Sequence, residues 1–383
     1  MRDDLNQRDW KRALVGALDT LCQPLVAVFV SLALGAVIIL LAGENVFSTY
    51  GIMINGAFGN MFYLSSTLSR ATPIIMGGLA VCIAWRSGYE AMGGEGQMIL
   101  GAFLSALIAY YLPAPGVVKI LVAILGSVAI GALYSLLSAW LYDKFSVTFL
   151  ISTLMLNYIA NNVASYLTNY VFKDPAALDM NSVQTGKIAA DAQLGKIFEG
   201  FSLHWGFVLA LLCVAAIYIL LKKTSFGYKA KMGGLNPLFA LYGGINSKRM
   251  LYLVLLLSGM VAGLGGTFEV LGSKYRYIDQ MIFSTAYAWS GMVAALLANF
   301  DPLGTAVASI LLAGLATGGS AMQRGTNIPV EAVNMIEGVI MLLMSVKLLR
   351  LLSGRVRRRH APPEPAAAIT AEDVETAEGG EAS

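Results

Sequence analysis

The feature that most constrains this 383-residue chain is a series of apolar runs, each about as long as a membrane is thick, recurring from Pro24 to Val346. The first, Pro24 to Gly43, has 20 residues and no charge. Roughly 20 apolar residues cross a bilayer as an α-helix. A lipid-exposed backbone must close its own hydrogen bonds, so each run reads as a helix. No small-x-small cleavage pattern ends the first run, which marks it as a span and not a leader. Further charge-free runs are Ile120 to Tyr142, Phe145 to Phe172, Trp205 to Leu221, Met250 to Phe268, Gln280 to Phe300 and Pro302 to Gln323. Gly96 to Val118 adds a span, and Ile328 to Val346 a last one, interrupted by Glu331 and Glu337.

Composition agrees. Charged residues make up 13% of the chain and hydrophobic ones 57%, with a mean hydropathy of +0.68. A soluble domain carries roughly 25% charged residues, so a water-soluble enzyme and a disordered chain are both disfavoured. A net charge of +3 is too small to imply nucleic acid. Cys22, Cys82 and Cys213 are isolated, and His204 and His360 stand apart from them, so no metal site or catalytic triad is expected.

Lysine and arginine set the orientation. Lys222, Lys223, Lys229, Lys231, Lys248 and Arg249 fall in one gap without an acid. Lys347, Arg350, Arg355, Arg357, Arg358 and Arg359 follow the last run, and Arg2, Arg8, Lys11 and Arg12 precede the first. All three regions are expected on the cytoplasmic side, with the gap from Lys173 to His204 on the other. Parity then requires an even number of crossings before Lys222. Gly51 to Ser69 and Pro73 to Trp85 cannot both cross, so Gly51 to Trp85 reads as one broken crossing with a re-entrant half, rich in Asn55, Gly56, Gly59, Asn60, Ser65 and Ser66. The expected fold is an all-α polytopic integral membrane protein of about ten transmembrane helices, one of them broken or re-entrant. Residues 1–23 form a cytoplasmic segment and 24–349 the membrane domain, with loops at about 173–204 and 222–249. Residues 350–383 form a basic stretch and an acidic tail, expected to be disordered. Gly259 and Gly263 form a GxxxG that favours close helix packing.

No Walker A is present: Gly186-Lys187 and Gly195-Lys196 are each followed by isoleucine and lack the earlier glycine. Any ATP used must be bound by another chain.

Four stretches, taken in order, resemble the permease subunits of bacterial ABC importers for nucleosides, simple sugars and related small molecules. They are Gly93-Gly94-Glu95-Gly96-Gln97, the run Ile151 to Ala160 (ISTLMLNYIA), the segment Gly227 to Ile245, and Ser258 to Gly266 followed by Asp301-Pro302-Leu303-Gly304 and Met322-Gln323. The second stretch is most similar to the nucleoside branch. Ala91, Glu90, Leu235 and Asp301 depart from the family's usual residues. The resemblance implies a permease with no covalent chemistry, working by alternating access in the bacterial inner membrane with both termini cytoplasmic. It implies no cofactor on this chain, with ATP and Mg on a partner ATP-binding cassette ATPase. It also implies a second permease subunit, a paralogous chain or a copy of this one, and a periplasmic or lipoprotein substrate-binding protein. The solute would be a nucleoside; a ribose-like sugar, or an ATP-independent secondary transporter using Glu95, Glu269 and Glu337, are the alternatives.

Within Gly227 to Ile245, Gly227, Gly234, Asn236, Pro237, Phe239, Ala240, Tyr242 and Gly243 are the expected ATPase-coupling residues. Asn236 suits a helix cap, Pro237 a first turn, and Phe239 and Tyr242 share a face three residues apart. The resemblance makes this the coupling helix that docks in a groove of the ATPase; otherwise it is a basic loop that fixes topology. Glu95, Gln97, Asn157, Tyr158, Asn161 and Trp289 are candidates for the substrate pathway. Ionisable groups within membrane segments face a cavity or a partner. Glu95 reads as a solute contact or gate, or as a cap or ion pair with Arg86. Asn157 and Asn161, four apart, offer amides to a polar solute or tie helices together. Trp289, with Tyr287 in the same segment, reads as a stacking surface or as part of an interfacial belt.

Overall fold

A computed structural model describes residues 29–37, 39–174 and 183–326, with five further residues between 331 and 339. The N-terminal basic segment, most of the Ile328 to Val346 run with Glu337, and everything beyond lie outside the described residues.

The described chain is helical, with no strand and two isolated β-bridges, Gln184 to Ile278 and Lys196 to His204. The helices are α1 (Phe29–Leu41), α2 (Val46–Phe58), α3 (Met61–Arg86), α4 (Gly94–Tyr111), α5 (Gly116–Phe145), α6 (Phe149–Tyr170), α7 (Trp205–Lys223), α8 (Ser225–Leu235), α9 (Pro237–Tyr242), α10 (Ser247–Glu269), α11 (Met281–Thr285), α12 (Tyr287–Leu297) and α13 (Pro302–Gly325). A π turn, Val270–Lys274, extends α10.

Five of these helices are long and apolar enough to cross a membrane, or six if the α1–α2 pair, bent by 119°, is one span. Ten are not reached among the described residues, and the reasons are local. The Gln280 to Phe300 run is divided into two short helices at Ala286, whose backbone is left-handed (φ 52°). The polar residues Ser152, Thr153, Asn157 and Asn161 on the buried face of α6 dilute its apolar content.

The single broken crossing expected over Gly51 to Trp85 does not form: Met61–Arg86 is one continuous helix long and apolar enough to span alone, and the bent pair lies earlier, at α1–α2. Asn60 adopts an extended conformation and its Oδ1 accepts from the Tyr63 N–H at 2.9 Å, which starts α3 afresh. Pro73 lies inside the 26-residue α3, packed where α10 presents Gly265.

Burial runs opposite to that of a water-soluble bundle. The two most hydropathic spans, α5 and α7, are only 28% enclosed, whereas the less apolar α3 is 89% enclosed. Along α5, Val117, Leu121, Leu125 and Leu133 form an outward ridge, each more than half exposed. Such a surface suits lipid. Inside, small residues let backbones meet. A Cβ on Gly259 would overlap the Gly131 carbonyl, one on Gly263 the Ser127 carbonyl, and one on Gly266 the Met98 carbonyl. Ser135 donates to the Leu255 carbonyl across the same α5–α10 seam.

The helices place two ends. At the basic end, Lys222 pairs with Asp301, the N-cap of α13, and Lys248 pairs with Asp143 at 2.6 Å. Burial would raise the Asp301 carboxyl, but Lys222 and the Gly304 N–H outweigh it and hold the group below the usual carboxylate range. At the opposite end, residues 183–194 lie over the bundle: Thr185 N–H donates to Tyr277 O at 2.9 Å and Leu194 N–H to Leu271 O at 2.8 Å.

His204 caps α7 there. Its Nδ1 accepts from the Gly206 N–H at 3.1 Å, and Gly206 and Gly272 leave room for its fully enclosed ring. Burial pushes the imidazole down to about 4, below its ordinary 6.5. The folded state therefore holds His204 neutral; this contribution is complete above pH 6.5 and is lost as pH falls toward 4. The full loss is about 3 kcal/mol. Thermal unfolding in detergent should show a lower melting temperature at pH 5 than at pH 7, and His204→Asn, which keeps a cap, should flatten that slope. An unchanged slope would remove His204 as the cause.

Candidate functional site

The chain between α3 and α4 makes the first half of the site. After Arg86 it turns at Ser87-Gly88 at the basic end, then folds back into the bundle, so that α4 begins inside it. Trp85 Nε1 donates to Ala91 O at 3.0 Å, and Thr153 Oγ1 accepts from the Met92 N–H at 3.0 Å. Asn157 holds the returning strand at two points: Nδ2 donates to Met92 O and Oδ1 accepts from the Gly96 N–H, both at 2.9 Å. Gly96 is required here, because a Cβ would crowd the Asn157 backbone at 3.0 Å.

This loop delivers Glu95, 4% exposed, into the first turn of α4, where helix N–H groups favour a carboxylate. Its Oε2 accepts from Trp289 Nε1 of α12 at 3.3 Å. The pair closes a space of about 20 Å³ that also touches Gly77, Val81, Met92 and Met292. That is room for about one water. Gln97 and Asn161 are also buried, and Gln97 Oε1 and Asn161 Oδ1 have no hydrogen-bond partner among the described residues. Tyr158 is not brought to this cluster; it is 53% exposed, with its ring 6.0 Å from that of Phe283. Arg86 does not pair with Glu95, whose partner among the described residues is Trp289.

On the other side of the α12 start lies a much larger cavity of about 570 Å³. Tyr287 lines it, while Ala288 and Trp289 line the small space beside Glu95. Tyr287 donates to Glu269 Oε1 at 3.2 Å, and Glu269 is 2% exposed. Arg70, Lys274 and Arg324 share this wall with serines and Thr317. Sequence reading named Glu269 and Tyr287 but missed Arg70. The available signal was a single charge between two apolar stretches, which by itself marks a functional position.

The basic end carries the second half. α8 stops at Leu235, Asn236 leaves the helix (φ −147°), and Pro237 opens α9; Asn236 O accepts from the Ala240 N–H at 3.0 Å. Gly244 (φ +70°) closes α9: its N–H donates to Leu241 O at 3.0 Å and the Ile245 N–H to Ala240 O at 2.9 Å. This pair is a Schellman stop, with Ile245 and Ala240 both buried. Leu241 and Tyr242 instead project outward, 67% and 92% exposed, and Lys222, Lys223, Lys229 and Lys231 are exposed as well. Gly227 packs on the Leu221 backbone, and Gly234 on Ser87-Gly88, the turn that leads to Glu95.

A helical membrane domain with lipid-suited outer faces, a large polar cavity within it and a presented apolar helix fits a multi-pass transport protein. Comparison with known proteins gives the family. Residues 63–345 match the family described as branched-chain amino acid transport system / permease component, and the chain belongs to it. Similar proteins include the guanosine ABC transporter permease protein NupP of Bacillus subtilis, 30% identical over 91% of this chain and 100% of that one. The nucleoside ABC transporter permease protein NupB of Lactococcus lactis is 28% identical over 85% and 91%. The glucose ABC transporter permease protein TsgB13 of Haloferax volcanii is 27% identical over 84% and 86%.

Proposed function

We propose that this chain is the membrane-spanning subunit of an ATP-driven importer that admits nucleosides to the cytoplasm by alternating access. The observation that carries this reading is a large polar cavity at Tyr287 with the buried Glu95–Trp289 contact beside it, which we read as a closed neck, tied through Gly88 and Gly234 to an exposed apolar helix. Similarity to the guanosine permease over that protein's whole length supports the solute class. The chamber receives solute from a binding protein on the outer side, and Glu95, Gln97, Asn157, Asn161 and Trp289 form the path beyond it. α9 docks on an ATPase that holds ATP and Mg, and a second permease chain completes the pore. The protein sits in the bacterial inner membrane with its basic end in the cytoplasm. Nucleotide binding switches the accessible side only if the ATPase grips the two arrangements differently.

The test is uptake of labelled guanosine and adenosine by cells with and without this gene, with excess unlabelled ribose as competitor. Loss of nucleoside uptake in the deletion, insensitive to ribose, is expected. Competition by ribose would favour a sugar, as the glucose relative suggests. Uptake that an uncoupler abolishes and ATP does not drive would make the chain a secondary transporter.

The neck makes its own prediction. Trp289→Ala removes the indole that Glu95 accepts from and opens the 20 Å³ space. Proteoliposomes of the assembled transporter should then leak preloaded solute without ATP, while the wild type holds it. Equal retention would show that Trp289 is not the closing group.

A further inference from the structure

The 570 Å³ cavity is lined by both donors and acceptors. Arg70, Lys274 and Arg324 supply donors against a single carboxylate, Glu269, so the wall holds an excess of positive charge. Lys274 and Arg70 act electrostatically on Glu269, yet among the described residues neither closes an ion pair with it. Arg70 Nε is buried and has no hydrogen-bond partner among the described residues. Arg70 lines the cavity, and an arginine donor left unpaired behind that wall is costly. Acceptors line the same cavity. Thr317 and Ser320 already donate to Ala313 O and Ala316 O, at 2.8 and 3.1 Å, which leaves their lone pairs free toward the cavity. Glu269 receives Tyr287 on Oε1, and Oε2 remains.

We infer that this cavity is the solute-binding chamber and that Arg70 selects nucleosides whose base carries a carbonyl acceptor edge, the hydroxyls of the sugar being met by Glu269, Thr317 and Ser320. This rests on the nucleoside reading above and adds a site and a preference to it. The volume admits one nucleoside, being within the range of small-molecule pockets. A guanine edge offers two acceptors, O6 and N7, to an arginine, whereas adenine puts an amino donor where the carbonyl would be. A hexose has no such edge.

The experiment measures initial uptake rates of labelled guanosine and adenosine in cells carrying the complete transporter, wild type or Arg70→Met, with Arg70→Gln as the variant that keeps a donor. Arg70→Met should raise KM for guanosine about tenfold and for adenosine much less, with Arg70→Gln between wild type and Met. A second readout avoids transport: Thr317→Cys in the solubilised complex should react with a maleimide, compared with the unsubstituted protein, and guanosine should slow that reaction. If wild-type cells import neither nucleoside, the proposed solute class fails. If they import guanosine while Arg70→Met leaves the guanosine-to-adenosine ratio unchanged, or guanosine gives the thiol of Thr317→Cys no protection, the solute class stands and the chamber assignment falls. Stronger protection by guanosine 5′-monophosphate than by guanosine would assign the excess positive charge to a phosphate and overturn the role of Arg70 toward the base.

Discussion

Gly234→Ala is expected to stop solute uptake while leaving the protein in the membrane. Gly234 ends α8 with its backbone on the Ser87 carbonyl, and a Cβ there would overlap that oxygen. The opposing Gly88 has φ +82°, and a Cβ on it would lie 2.8 Å from the Gly234 carbonyl carbon. Neither neighbour is a flexible side-chain tip, so one segment must move away, at a cost of about 1–3 kcal/mol. Gly88→Ala adds a left-handed backbone penalty of about 1–2 kcal/mol. These residues lie between α9 and the turn that leads to Glu95, so separation breaks the route from the ATPase to the neck. Uptake in vesicles should fall about tenfold or more, with ATP hydrolysis by the assembled complex persisting uncoupled. Normal uptake by Gly234→Ala would mean that this contact carries no motion.

Phe239→Asp and Tyr242→Asp should remove the ATPase from the complex. α9 is closed at both ends by its own chain, through Pro237 and the Gly244 stop, and presents Leu241 and Tyr242 to solvent. Aromatic anchors dominate such helix-in-groove contacts, and truncating one costs about 2 kcal/mol or more. A buried, unpaired aspartate costs further. Co-purification of the ATPase with the tagged permease should be lost in either variant, together with uptake. Retention of the ATPase by both variants would reduce the segment to a topology-setting loop.

Much of this was legible in the residues. The long charge-free runs specified helices, the lysines of 222–249 marked one end, and Asn236-Pro237 marked the start of a short helix that the structure contains as α9. Polar and small residues disfavour a lipid-facing helix, so Gly51 to Trp85 reads as one broken crossing, but those residues of α3 are enclosed by neighbouring helices and Met61–Arg86 is long and apolar enough to span alone. Pro73 does not interrupt α3: the surrounding helices hold it together through the proline, and Asn60 supplies the cap. Glu95 stood out as a carboxylate in an apolar setting, but its partner Trp289 is 194 residues away and no spacing rule connects them. Asn157 looked equally suited to solute or to packing; its two hydrogen bonds to the returning loop emerge only when α6 and that loop are adjacent.

Apolar run length and charge placement are properties of contiguous residues, and the bilayer acts on them locally, so the sequence by itself determined the class of protein, most of the helical elements and the short exposed helix Pro237–Tyr242. The chamber needed Arg70 from α3, Glu269 from α10, Tyr287 from α12 and Thr317 from α13 in one wall, and the neck needed Glu95 against Trp289. Glycine contacts decide those juxtapositions by setting how closely the backbones approach, and only the tertiary structure contains that information.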